Sequence, residues 1–100
     1  MIEIVLAEQV VHFVRRQAPE PRRWLKQALR KLAHEHGDIK PLEGPLSGYY
    51  RLRVHGYRIL FVYENQAPSS RIIKCLYAER RSVVYEIFEH LIHDRLSGQR

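Results

Sequence analysis

Residues 48–63, GYYRLRVHGYRILFVY, constrain this chain more than any other stretch. Two runs of alternating side chains flank His55–Gly56, the pattern of a β-hairpin closed by a two-residue loop. Gly56 is expected to supply a positive φ there, and His55 is tolerated in that region better than most residues. Pairing outward from the loop sets Val54 against Tyr57, Arg53 against Arg58, Leu52 against Ile59, Arg51 against Leu60 and Tyr50 against Phe61. Because strand side chains alternate, Tyr50, Leu52, Val54, Tyr57, Ile59 and Phe61 share one face, which reads as the core face. The other carries Tyr49, Arg51, Arg53, Arg58, Leu60 and Val62. That second face holds three arginines and no acid. Like charges directly opposed across strands cost on the order of 0.2–1 kcal/mol. A charged, solvated face that blocks aggregation is one explanation. A cradle for an anion is the other, since guanidinium forks suit phosphate oxygens and a neighbouring tyrosine can stack a base.

The rest of the chain organises around this hairpin. Ile2, Ile4 and Leu6 at period two predict a short N-terminal strand, expected to join the sheet. Leu6, Val10, Phe13 and Val14 then follow helical spacing over Ala7–Arg16. QAPEP breaks the chain. A second helix is predicted from Glu20 to His36, with Pro21 in its first turn. Leu25, Ala28, Leu29, Leu32 and Ala33 form its apolar stripe, and Gly37 is expected to end it in a left-handed conformation. GDIKPLEGPLSG reads as a loop. Strands are predicted over Tyr49–Val54, Tyr57–Tyr63 and Arg71–Tyr77. A final helix runs over Ser82–Leu96, with Val84, Ile87, Phe88, Leu91 and Ile92 on its apolar side. The fold class is α+β: one domain over residues 1–100, an N-terminal strand and two-helix hairpin on a four-stranded antiparallel sheet, helices on one face, and a C-terminal helix.

Composition narrows the partners. Lys and Arg number 17 against 11 Asp and Glu, giving a net charge of +6 and a pI near 9.8. Such a basic domain attracts polyanions, although charge of this size also serves general solubility. The one cysteine, Cys75, cannot form an intramolecular disulfide, which fits a reducing compartment. MIEIVLAEQV lacks the basic start and cleavage site of a signal peptide. No apolar run approaches a membrane span. The expected location is the cytoplasm.

LEGPLSGYYRLRVHGYRILFVYE followed by ERRSVVYEIF resembles the RelE/ParE superfamily of bacterial type II toxins, in its RelE-like branch. The resemblance covers nearly the whole chain in element order and is most specific over residues 42–85. It implies a metal-independent endoribonuclease that cuts mRNA, typically at the ribosome, and is held inactive by a cognate antitoxin. It implies no cofactor. Arg51 and Arg53 match the family's two basic residues that bind the RNA backbone, and Arg58 matches the arginine at the scissile phosphate. Arg81 and Tyr85 match the arginine and tyrosine of its last motif. Tyr49 and Arg80 adjoin these and are expected to contact RNA.

Those residue types fit the chemistry. A 2′-hydroxyl attacks its own 3′-phosphate, and fixed guanidinium groups stabilise the charge that gathers on the phosphoryl oxygens. Arg53, Arg58 and Arg81 would take that role. Tyr85 would serve as base, its phenolate favoured by nearby arginines. Where the family often has Gly-His before the last arginine, this chain has Glu79-Arg80, which leaves His55 or Glu79 as substitute proton carriers. The alternatives are a ParE-like toxin that inhibits DNA gyrase by binding, and a member without activity that only binds antitoxin or RNA.

Other features carry less. His34 and His36 point to different helix faces, and His90 and His93 have no third ligand in register, so no metal site is expected. Cys75 reads as a small buried hydrophobe. Trp24 lies off the apolar stripe of its helix, where it would cover the break between the helices or meet a partner.

Overall fold

The protein's structure is a computed structural model that describes residues 2–67, 70–80 and 83–98. The elements are β1 (Glu3–Leu6), α1 (Glu8–Arg15), α2 (Pro19–Leu32), β2 (Asp38–Pro41), a 3-10 turn at Gly44–Leu46, β3 (Tyr50–Val54), β4 (Tyr57–Ala67), β5 (Ser70–Arg80) and α3 (Val83–Gly98). The strands form one sheet in the order β1-β5-β4-β3-β2.

The hairpin register is the one the loop length demands, with Arg53 opposite Arg58 and Arg51 opposite Leu60. The positive φ, however, falls on His55 (55°) and not on Gly56. A two-residue loop with its positive φ at the first position ordinarily prefers glycine there. The His55 ring lies against Trp24 with centroids 4.0 Å apart.

The sheet has five strands, not four, and is not wholly antiparallel. Asp38–Pro41, expected as loop, pairs antiparallel with β3 as an edge strand. Four residues with a single large apolar side chain and a terminal proline give almost no strand signal, and proline is tolerated there because the edge needs no further donor. β1 joins the other edge in parallel with β5. Beyond β1 the Gln9 amide continues the ladder: Nε2 donates to Ala78 O at 2.8 Å, and Ala78 N donates to Gln9 Oε1 at 2.8 Å.

The helices occupy both faces, correcting the one-face expectation. Val10, Phe13 and Val14 of α1 and Leu25, Leu29 and Leu32 of α2 pack with Leu52, Ile59, Phe61, Ile73 and Cys75. On the opposite face Phe88 of α3 packs with Leu46 and Leu60, joined by Tyr49, Leu76, Tyr77, Tyr85 and Ile92. Among the described α3 side chains the contact stripe is Tyr85, Phe88 and Ile92; Leu91, expected in it, is 48% exposed, and the Val84 side chain lies outside those described. α2 ends at Leu32, short of His36. The left-handed residue after it is Glu35 (φ 57°), while Gly37 adopts φ 135° at a place where a Cβ would meet Leu52 Cδ1 at 2.9 Å. Among the described residues, no helix is long and apolar enough to cross a membrane.

Candidate functional site

The face that carries the arginines is only partly covered by α3. Leu60 lies fully buried beneath it, while Arg51 and Arg58 are half-buried and Arg53 is exposed. Successive strand registers align a row across this face: Asp38 on β2, Arg53 on β3, Arg58 on β4 and Glu79 on β5. Both central positions are cationic and both flanking positions anionic. The two hairpin strands carry no acid, as the sequence reads, but the neighbouring strands supply one on each side.

Asp38 is the residue that sequence reasoning missed. Arg51 Nη1 donates to Asp38 Oδ1 at 3.0 Å and to the Asp38 carbonyl oxygen at 3.0 Å. Arg53 Nε lies 3.3 Å from Asp38 Oδ2. The Arg51 hydrogen bond holds the Asp38 carboxyl below its ordinary pKa; desolvation opposes it, and the charges of Arg51, Arg53 and Arg58 add to the lowering. The signal that could have found Asp38 is its place four residues before LEGPL, but a strand of four residues must be recognised first.

Arg58 is the least neutralised of the three. Among the described residues no carboxylate comes within 4 Å of its guanidinium. Among the described residues its guanidinium makes one internal hydrogen bond, a long one from Nη1 to the Tyr57 carbonyl oxygen at 3.4 Å. Glu79 is its cross-strand neighbour on the same face, and Glu79 Oε1 accepts from Arg80 N at 3.0 Å. A guanidinium with no carboxylate in reach keeps donors that an anion can take up.

The remaining expected residues divide. Tyr85 comes to this face as a half-buried ring on the cluster of Leu46, Leu60 and Phe88, and Leu60 is the cross-strand partner of Arg51. Tyr49 is also here, its ring 5.1 Å from Phe88 and edge-on to it. Arg80 is not. It pairs with Tyr57, a core-face residue, and its guanidinium lies 5.4 Å over the Tyr57 ring on the α1–α2 side. The expectation that it joins the cradle is corrected, since alternation sends Glu79 and Arg80 to opposite faces. His55 is likewise turned to Trp24, so of the two substitute proton carriers only Glu79 shares the arginine face. Arg81 lies outside the described residues. Cys75 is fully buried, and burial pushes its thiol up to about 12, which leaves it protonated and unreactive near neutrality.

No protein-family model matches the chain, and no curated protein matches it. Solved structures do. The YoeB/ParE toxin from Agrobacterium tumefaciens superposes with a TM-score of 0.64 at 15% identity, over 80% of this chain and 99% of the other. A chain of the RelB-RelE antitoxin-toxin complex from Methanococcus jannaschii gives 0.62 at 21% identity, over 84% and 98%. A chain of the RelBE2 toxin-antitoxin complex from Mycobacterium tuberculosis gives 0.60 at 15% identity, over 80% and 98%. At these identities the likeness is one of fold: this chain has the RelE-like α+β architecture.

Proposed function

We propose that this protein is the toxin of a type II toxin-antitoxin pair and cleaves mRNA at the ribosome without a metal ion. The observation that carries the proposal is Arg58, a half-buried guanidinium without an ion-pair partner among the described residues, set beside Arg53 on the open part of the sheet. The RelE-like fold, found in toxins solved with their antitoxins, supports the same reading.

The substrate's 2′-hydroxyl oxygen attacks the adjacent phosphorus. The bond from phosphorus to the next nucleotide's 5′-oxygen breaks, leaving a 2′,3′-cyclic phosphate and a free 5′-hydroxyl. Arg58 and Arg53 hold the phosphoryl oxygens as charge develops, and Arg51 steers the backbone, with Asp38 fixing its orientation. The resemblance in sequence adds Arg81 to this set. Tyr85 accepts the 2′ proton, and Glu79, as the carboxylic acid on that face, gives its proton to the leaving 5′-oxygen. Tyr49 flanks the bound strand. The antitoxin would present acidic residues to the basic face.

Purified protein, freed of antitoxin, is expected to cut ribosome-bound mRNA in EDTA and to leave cyclic phosphate ends. Intact RNA would refute the proposal. A second reading, gyrase inhibition by binding, draws on one observation: Asp38 already neutralises Arg51 and Arg53 in part. Inhibition of supercoiling with RNA left intact would establish it instead.

A further inference from the structure

A cavity of about 290 Å³ opens at the edge of the sheet, where α2 passes the β3–β4 loop. Its wall includes Trp24, Gln27, Lys31, His36, Arg53 and His55. Its volume is close to the lower end of the range for small-molecule sites. No acidic side chain lines it. Four of these residues, Lys31, His36, Arg53 and His55, carry or can carry positive charge, and the Trp24 and His55 rings lie against each other within it. Trp24 is half-buried, and the exposed His55 ring lies 4.0 Å from it at an interplanar angle of 36°.

Two features go beyond what packing requires. His55 holds a positive φ at a loop position where glycine would be relaxed. Strain of this kind concentrates where a side chain is needed for something other than folding. Arg53, moreover, belongs to both places: it lines this cavity and it faces Arg58 in the arginine row. A phosphate held at Arg53 and Arg58 would therefore carry its neighbouring nucleotide to the cavity mouth.

We infer that the Trp24–His55 cavity is a nucleobase-binding subsite. One unpaired base of the RNA stacks on the aromatic pair, the Gln27 amide meets its polar edge, and Lys31 and Arg53 hold the flanking phosphates. The chemistry is that of single-strand recognition, where a π-face gives affinity and a positive groove follows the backbone. The inference rests on RNA being the substrate and names where that RNA is gripped beyond the reacting phosphate.

Trp24 is the protein's sole tryptophan, so its emission reads the site directly. The experiment titrates antitoxin-free protein with a short labelled RNA whose 2′-hydroxyls are methylated to prevent cleavage. Anisotropy reports binding and tryptophan emission reports the cavity. The expected result is quenching that saturates with the anisotropy, and no quenching by an abasic oligomer of the same length. His55→Asn keeps a residue suited to positive φ but removes the ring; it is expected to weaken binding about tenfold, as loss of one stacking partner does, with an unchanged melting temperature. Binding without quenching, equal quenching by the abasic oligomer, or full affinity in His55→Asn would each overturn the inference and assign the ring pair to pinning the loop. Quenching by RNA that the unmodified protein fails to cleave would uphold the subsite and overturn the nuclease. Failure to bind RNA at all would overturn both.

Discussion

Arg58→Met separates a functional arginine from a structural one. Methionine retains the apolar stem that packs at this half-buried position and removes only the charge. Two cross-strand effects are lost together. Repulsion from Arg53 and attraction to Glu79 each amount to about 0.2–1 kcal/mol, with opposite signs. The net change in stability therefore stays within about 1 kcal/mol, a few degrees in melting temperature for a domain of this size. Cleavage has no such cancellation. A preorganised donor to the developing charge contributes roughly 10²–10³ in rate. The assay pairs a thermal melt by circular dichroism with RNA cleavage in EDTA. The reasoning fails if cleavage falls less than about threefold, or if the melting temperature falls by more than about 10 °C. Arg51→Met should differ by lowering stability as well, because it strips Asp38 of both hydrogen bonds. Asp38's lowered pKa contributes stability above its unfolded value of 3.8, lost as pH falls through the lower folded value. In Arg51→Met that acid limb of the stability curve should shrink.

Gln9→Ala leaves the Ala78 N–H and C=O without their partners and should destabilise by roughly 2 kcal/mol in urea unfolding, with Gln9→Glu recovering part through its acceptor oxygen. Gly37→Ala forces a Cβ to 2.9 Å from the buried Leu52 at φ 135° and should cost about 1–3 kcal/mol, read as a lower urea midpoint. Tyr63 is pushed up to about 12 by burial first and then by its 2.7 Å hydrogen bond to Glu35. Its folded pKa is raised, so its contribution to stability is complete below about pH 10 and is lost as the pH climbs towards 12. Tyr63→Phe should flatten that alkaline limb in melts followed from pH 9 to 12.

The hairpin was legible because a two-residue loop leaves one register open, and alternation then assigns every side chain to a face. The α1 and α2 stripes were legible for the same kind of reason. Three features were not. β2 is too short and too polar to carry a period, and with it went Asp38. α3 has an apolar side, but nothing in its own residues says which face of the sheet it covers. The β4–β5 register shifts after Leu60, whose partner is Tyr77 while Phe61 pairs with Cys75, so Leu76 is the extra residue of a bulge. A bulge resets parity, and parity alone decides that Glu79 joins the arginines while Arg80 does not. Of the cradle, the cations were visible in sequence. The anions that set how much charge remains free were not, because they arrive from strands outside the hairpin.

The parallel pairing of β1 with β5 has a consequence for timing. Glu3 finds its partner only at Ile72, so the first strand to leave the ribosome waits for one of the last. Contacts of such long sequence separation close slowly, and at ordinary rates of synthesis the wait is on the order of seconds. The β3–β4 hairpin, being local, can form during that interval with its three arginines already in register. Glu79 and Tyr85 join it only when β5 and α3 have emerged. A nascent chain thus presents the three-arginine ribbon before Glu79 and Tyr85 stand beside it.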